Sequence, residues 1–269
     1  MPLAETDMLL VIAGFVLLML GGEFVVQGAV TIANRLRVPP LLVGFTVVAI
    51  GTSLPELAVA LEAVGNDTPD IAVGGVLGSN VANVMLVLGT AAVLGAASDP
   101  GPGVRRDAIA VAVATAILLA TVLIGKITSQ FGVLMLLGLA AYYTYSYLTS
   151  KAEGGDVEDS KSWLPENVLL AIPTTAVGGY MIWTGAGMLV EGATGLAIGY
   201  GISESVIGLS VVALGTSLPE LAVTLVAGLR GQGGVAVGNI LGSNVINILG
   251  ILGLASAYAG GIIIAPEFA

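Results

Sequence analysis

The chain carries the same long apolar sequence twice, and this repeat limits what it can fold into. The segment GTSLPELAV occupies residues 51–59 and again residues 215–223, and LGSNV starts at both Leu77 and Leu241. Both pairs are separated by 164 positions, so residues 21–95 align with the second copy without a gap. The repeat predicts a fold with internal pseudo-symmetry.

The composition indicates an integral membrane protein. Of 269 residues, 56% are hydrophobic and 10% are charged, whereas soluble domains carry about 25% charged residues. Lipid admits only helices or closed barrels, and these apolar runs are too long for barrel strands. The sequence therefore predicts an all-α membrane fold with about eight transmembrane helices and no strands.

Hydropathy and helix-breaking residues divide these spans into two halves. Residues 1–149 form the first half, 150–165 a polar linker, and 166–269 the second half. The N-terminus lacks the basic segment of a cleaved signal peptide, so we expect its first span to be retained. The predicted spans are 8–33, 41–64, 71–94, 104–124, 127–149, 167–192, 205–229 and 235–258.

The basic residues predict the orientation in the cell membrane. With loops assigned alternately to the two sides, one side holds only Lys126. The positive-inside rule makes the other side cytoplasmic, which places the linker inside and the N-terminus outside. Because the two repeat copies begin five spans apart, the second is inverted relative to the first. The seven residues on the cytoplasmic side are Arg35, Arg37, Arg105, Arg106, Lys151, Lys161 and Arg230.

Several classes of function are disfavoured by what the sequence lacks. It has no cysteine and no histidine, which excludes disulfides, thiolate metal sites and the usual zinc ligand. The net charge of −10 argues against nucleic acid as a partner. No nucleotide-binding loop and no activated nucleophile is evident, so we expect neither a pump nor an intramembrane hydrolase, and no enzyme.

Each copy places one glutamate, Glu56 or Glu220, inside an apolar span. A carboxylate in hydrocarbon is costly and indicates a functional site. In the first copy Pro55 lacks an N–H and frees a backbone carbonyl, and the hydroxyls of Thr52 and Ser53 can share the helix face of Glu56. The equivalent residues of the second copy are Pro219, Thr216 and Ser217. These hard oxygen ligands suit sodium or calcium.

A second polar stripe accompanies each glutamate motif. Ser79 and Asn83 lie four residues apart, as do Ser243 and Asn247, and side chains at that spacing share one helix face. They would complete an oxygen cage. Asn80 and Asn244 point about 100° away from the neighbouring serines and could be either ligands or helix-end caps.

Charge balance constrains what such a site can carry. Two glutamates hold at most −2, which one divalent cation, two monovalent cations or two protons neutralise. Competition between these ions provides an exchange mechanism. Glu23 and Glu191 also lie in predicted spans without being repeat-equivalent, and we expect interhelical hydrogen bonds or an aqueous vestibule for them.

The motif pairs GTSLPE with GSNVANV and GTSLPE with GSNVINI closely resemble those of the cation/calcium antiporter superfamily, especially its prokaryotic sodium/calcium exchanger branch. The resemblance implies calcium exchange against sodium by alternating access, with spans one and six sliding across a stationary core. It implies no cofactor and no obligate protein partner, only the ions and the lipid bilayer. The implied ligands are Glu56, Thr52, Ser53, Ser79, Asn83 and the Ala49 carbonyl, then Glu220, Thr216, Ser217, Ser243, Asn247 and the Ala213 carbonyl.

Two departures from the family pattern leave alternatives open. Sodium-coupled members often have an aspartate where this chain has Asn247, so calcium/proton exchange is an alternative. The family usually has ten helices, so an inactive, C-terminally truncated fragment is another. A channel is disfavoured, because an inverted repeat with two buried carboxylates is typical of a carrier.

Overall fold

A computed structural model describes residues 2–152, 162–165, 167–201 and 215–268, and within these ranges the chain is almost entirely helical. The helices are α1 (Pro2–Leu36), α2 (Pro40–Thr52), α3 (Leu54–Gly65), α4 (Pro69–Val93), α5 (Val104–Ile124), α6 (Ser129–Ala152), α7 (Val168–Gly199), α8 (Leu218–Leu229) and α9 (Gly233–Tyr258). A π-helical turn interrupts α2 at Gly44–Val48, α4 at Asn83–Val87 and α9 at Ile246–Leu252.

The helical membrane fold predicted from the sequence is confirmed. In the described part of the chain, six helices are long and apolar enough to cross a membrane: α1, α4, α5, α6, α7 and α9. The pair α2 and α3, bent by 45°, is apolar enough to count as a seventh span if the two helices are taken together. The predicted span 205–229 is described only from residue 215, mostly as the short helix α8, and most of the linker also lies outside the described residues.

One prediction about secondary structure was wrong, because the chain contains a short β-ribbon. Strand β1 (Lys126–Thr128) pairs antiparallel with β2 (Gly261–Ile263), with Ile127 opposite Ile262. Both isoleucines are buried. The argument against strands holds for backbone exposed to lipid, whereas β1 lies in the turn between α5 and α6, where the ribbon buries one face against the protein and exposes the other.

The loops between the helices lie at two opposite ends of the bundle. At one end, Asp70 at the start of α4 accepts a hydrogen bond from the backbone N–H of Ala265 (3.1 Å), just beyond β2. At the other end, Gly234 at the start of α9 lies against Leu41 in the first turn of α2 and against Pro100 in the loop before α5. The first end therefore carries the α3–α4 loop and Lys126, the segments predicted to lie outside.

Helix α9 forms the centre of the bundle. In its most apolar stretch of 18 residues, 83% of the residues are buried within the protein, whereas the share is 17–33% in the other long helices. Its backbone touches that of α2, since a Cβ on Gly238 or Gly242 would overlap the carbonyl oxygens of Leu41 or Phe45. Contacts this close require small residues, as is common between membrane helices. They press the second repeat motif against the first half of the chain.

Helices α1 and α7 pack antiparallel along their length through a row of glycines. A Cβ on Gly21 would lie 2.7 Å from the carbonyl oxygen of Gly178, and one on Gly185 would lie 2.8 Å from that of Gly14. These pairs exchange places under the 164-residue repeat, so they lie around a pseudo-two-fold axis. The antiparallel pairing confirms that the second copy is inverted. The row comprises Gly14, Gly21 and Gly28 on α1 and Gly178, Gly185 and Gly192 on α7.

This packing predicts that Gly185→Ala destabilises the protein by about 1–3 kcal/mol, because the added methyl group would force the two backbones apart. The measurement is the midpoint of thermal unfolding in detergent. Gly187→Ala is the matched control, since a Cβ there meets no atom within 4 Å. Equal midpoints for the two variants would contradict the proposed role of the glycine row.

Candidate ion-binding site

The start of a helix positions each motif glutamate. Helices α2 and α3 meet at Ser53, whose backbone leaves the helical region (φ −88°, ψ 6°), and Ser217 before α8 has nearly the same angles (φ −92°, ψ 1°). Pro55 and Pro219 follow in the first helical turn, where a missing N–H costs no hydrogen bond. Both glutamates therefore lie at helix N-termini, where the helix dipole favours negative charge.

Glu220 is fully buried and receives hydrogen bonds from both halves of the chain. Its Oε1 accepts from the Ser53 hydroxyl (3.3 Å) and from the Ser243 hydroxyl (3.2 Å). The sequence had suggested that Ser53 shares a helix face with Glu56. Instead, the break at Ser53 turns its hydroxyl toward the second half, so the first motif supplies a donor to the carboxylate of the second.

Glu56 borders a small cavity of about 30 Å³ together with Ser79 and Thr216. This volume is close to the share of one molecule in liquid water, so the cavity has room for a water or a small ion. Among the described residues, no donor reaches either Glu56 carboxylate oxygen in hydrogen-bond geometry. Glu56 also lies close enough to Glu220 for their charges to repel.

Asn80 and Asn244 meet each other at the pseudo-two-fold axis. Asn80 donates through Nδ2 to the backbone oxygen of Asn244 (3.3 Å), which is its repeat equivalent. Asn247 donates through Nδ2 to Asn80 Oδ1 (3.1 Å). Asn80 therefore joins α4 to α9 and does not cap a helix end.

Three more of the predicted ligands, Ala49, Thr52 and Ala213, differ in what the structure describes of them. The Ala49 carbonyl accepts from the backbone N–H of Ser53 (3.1 Å) and from the Thr52 hydroxyl (3.4 Å), so it is already hydrogen-bonded. The Thr52 hydroxyl also lies 3.4 Å from that of Ser243, which links the two halves again. Ala213 lies outside the described residues.

The site concentrates buried oxygens without hydrogen-bond donors. Native proteins pair nearly all buried polar groups, so these oxygens are available to a bound cation or to water. Two carboxylates among neutral hydroxyl and amide oxygens match the preference of a hard cation such as calcium or sodium. In the described part of the chain, the atoms of this kind include Glu56 Oε1 and Oε2, Glu220 Oε2, Asn83 Oδ1, Asn247 Oδ1, Asn244 Oδ1 and Ser217 Oγ.

Asn239 is a polar contact of the site that the motif analysis missed. Its side chain is fully buried, accepts from the Thr52 hydroxyl (3.0 Å) and donates to the backbone oxygen of Glu220 (3.4 Å). A signal for it exists in the sequence, because Asn239 precedes Ser243 by four residues and Ser243 precedes Asn247 by four. The polar stripe on α9 thus extends one turn further than the repeated motif.

Glu23 contributes to interhelical contacts, as expected. It forms an ion pair with Arg230 at the end of α8 (2.8 Å) and accepts hydrogen bonds from Gln27 (3.0 Å) and the Trp163 indole (3.1 Å). Glu191 is exposed on α7.

Comparison with known proteins gives consistent matches over almost the whole chain. The family model described as sodium/calcium exchanger protein matches residues 6–148 and 170–268. The chain is 34% identical over 265 residues to inner membrane protein YrbG of Escherichia coli, covering 94% of this chain and 80% of that protein. It is 31% identical over 303 residues to sodium/calcium exchanger MaX1 of Methanosarcina acetivorans, covering 94% and 83% respectively.

The fold also matches a solved membrane protein. The structure of the sodium/calcium exchanger from Methanococcus jannaschii superposes with a TM-score of 0.81 at 28% sequence identity. The match covers 98% of this chain and 85% of that chain.

The geometry predicts that Ser53→Ala weakens cation binding, because Glu220 loses a donor that holds its carboxylate in place. A hydrogen bond contributes about 0.5–1.5 kcal/mol net, which corresponds to roughly a two- to tenfold rise in Kd. The measurement is the calcium-dependent rise in the thermal unfolding midpoint. Ser98→Ala is the control, since Ser98 bonds only within an exposed loop. An unchanged calcium dependence in Ser53→Ala would show that this contact does not support binding.

Proposed function

Because the chain belongs to the sodium/calcium exchanger protein family, we propose that it exchanges calcium for sodium at the buried site around Glu56 and Glu220. The chain is a multi-pass membrane antiporter, consistent with its relatives and its fold. The observation that supports this site is the pair of carboxylates, one from each inverted half, three of whose four oxygens meet no donor among the described residues.

Charge balance explains why transport through this site is an exchange. Two carboxylates in a low-dielectric interior repel each other, and holding them ionised without a cation costs several kcal/mol or more. One calcium ion neutralises the pair, and two sodium ions do the same. Access to the site therefore switches from one side of the membrane to the other only when cations are bound. Each calcium ion moved in one direction is thus balanced by sodium moved in the other.

The proposed ion cage draws ligands from both halves at once. Ser53 and Ser243 already contact the Glu220 carboxylate, and Ser79 and Thr216 border the cavity beside Glu56. The full proposed set is Glu56, Thr52, Ser53, Ser79, Asn83 and the Ala49 carbonyl with Glu220, Thr216, Ser217, Ser243, Asn247 and the Ala213 carbonyl. Because the hydroxyls cross between halves, a movement of one half relative to the other changes the cage.

Alternating access follows from the inversion of the two halves. If the halves exchange their conformations, a path beside one carboxylate closes while the equivalent path beside the other opens. We propose that α1 and α7, joined by their glycine row, move as one body during this exchange. The end of the bundle with Lys126 is proposed to face outward, and the end with Arg37, Arg105 and Arg230 to face the cytoplasm.

This mechanism predicts that Glu56→Gln and Glu220→Gln each reduce calcium flux to background, because a site of charge −1 no longer balances a divalent cation. The measurement is calcium uptake into proteoliposomes loaded with sodium, compared with equal potassium loading. Glu62→Gln is the matched control, since Glu62 is exposed on the same helix α3 as Glu56. Near-normal flux in either site variant would refute the shared site.

A second prediction concerns Asn247, which is neutral and has a buried Oδ1 without a donor among the described residues. Asn247→Asp adds a third negative charge to the site, and we expect the sodium dependence of calcium uptake to steepen. The measurement is the Hill coefficient for sodium, at fixed calcium and with and without a pH gradient. An unchanged coefficient would argue against a role of this position in sodium binding, and uptake driven by pH alone would point to proton coupling.

A further inference from the structure

The two halves of the repeat differ beside their carboxylates. One turn after Glu56 the first copy has Ala60, where the second copy has Thr224, and Gly75 in the first copy corresponds to Asn239 in the second. Both polar replacements are fully buried. The chain thus adds two polar side chains near Glu220 that have no counterpart near Glu56.

Asn239 uses its side chain to tie the two halves together. Its Oδ1 accepts from the hydroxyl of Thr52 on α2, and its Nδ2 donates to the backbone oxygen of Glu220 on α8. One amide thus connects three helices, since Asn239 itself lies on α9. It fixes the backbone that carries the Glu220 carboxylate and holds a proposed ligand hydroxyl of the other half.

The equivalent place in the first half is open. The cavity beside Glu56 is lined by Gly75, and a Cβ on Gly75 would meet no atom within 4 Å. In the second half the corresponding space is filled, because the side chain of Asn239 is fully buried against Thr52 and Glu220. The difference is local, since Ser79 and Ser243 occupy equivalent positions in both copies.

Resting on the proposed function, we propose that Asn239 is a positioning residue that closes the path past Glu220, so that the two branches of the ion path are unequal. Ions reach the site past Glu56 through the open cavity. They reach it past Glu220 only when the hydrogen bond between Asn239 and Thr52 breaks. The site is therefore harder to open on the side of the bundle that carries the α8–α9 turn.

Cysteine accessibility tests this proposal directly, because the chain has no native cysteine. Ala72 and Ala236 are repeat-equivalent and both buried, and Ala72 lines the cavity beside Glu56. A single cysteine at each position is labelled in the purified protein with a small methanethiosulfonate reagent. We expect Ala72→Cys to react faster than Ala236→Cys.

Exchanging the two residues should exchange the behaviour of the branches. Adding Asn239→Gly should raise the labelling rate of Ala236→Cys roughly two- to tenfold, the range expected for loss of one net hydrogen bond. Adding the mirror substitution Gly75→Asn should lower the labelling rate of Ala72→Cys. An unchanged rate for Ala236→Cys in folded Asn239→Gly protein would overturn the proposal. If Asn239→Gly does not fold, unchanged labelling of Ala72→Cys in the Gly75→Asn background would overturn it equally.

A transport readout separates positioning from a general loss of structure. In proteoliposomes, Asn239→Gly should shift the half-saturating calcium concentration severalfold more on the face reached past Glu220 than on the other face. Equal shifts on both faces would contradict a role confined to one branch. Labelling does not require transport, so the two experiments can disagree. If the labelling rates change as expected but the protein shows no sodium-driven calcium flux, the proposed function is overturned and the assignment of Asn239 stands.

Discussion

The structure depends on the cost of holding two carboxylates in an apolar interior. Glu56 and Glu220 are tolerated because each lies at the start of a helix, where free N–H groups and the helix dipole favour negative charge. Each proline motif lies at that start, and the break between α2 and α3 turns the hydroxyl of Ser53 toward the carboxylate of the opposite half. We propose that the transported cations balance the remaining charge of −2, so that the site carries an ion in each direction.

Close backbone packing brings the two halves near enough to share one site. Glycines on α9 let α2 approach until backbone touches backbone, which places Thr52 beside Ser243 and Asn239. A second set of glycines joins α1 to α7 around the pseudo-two-fold axis. In lipid there is little hydrophobic drive between helices, so small residues and polar contacts must supply the association. This accounts for the glycines at the contacts between α2 and α9 and between α1 and α7.

Much of the architecture could be predicted because it follows from local patterns in the sequence. Apolar runs locate the spans, and the odd offset between copies predicts the inversion that the pairing of Gly14 with Gly185 displays. The short ribbon of Lys126–Thr128 and Gly261–Ile263 could not be predicted, since Lys126 pairs with Ile263, 137 positions later in the chain, and the pairing depends on the position of α9. Nor could the contact of Ser53 with Glu220, because spacing along one helix does not reveal where a broken helix directs its side chains.

The sequence by itself determined the membrane environment, the repeat, its inversion, and which carboxylates, hydroxyls and amides are available, because these follow from residue type and spacing. Only the tertiary structure decided which oxygens share a partner, because hydrogen bonds between halves depend on how closely the helices approach. The pairing of Asn80 with Asn244 at the pseudo-two-fold axis is one such result. The bridge from Asn239 to Thr52 and Glu220 is another: a single asparagine on α9 becomes significant only where three helices meet.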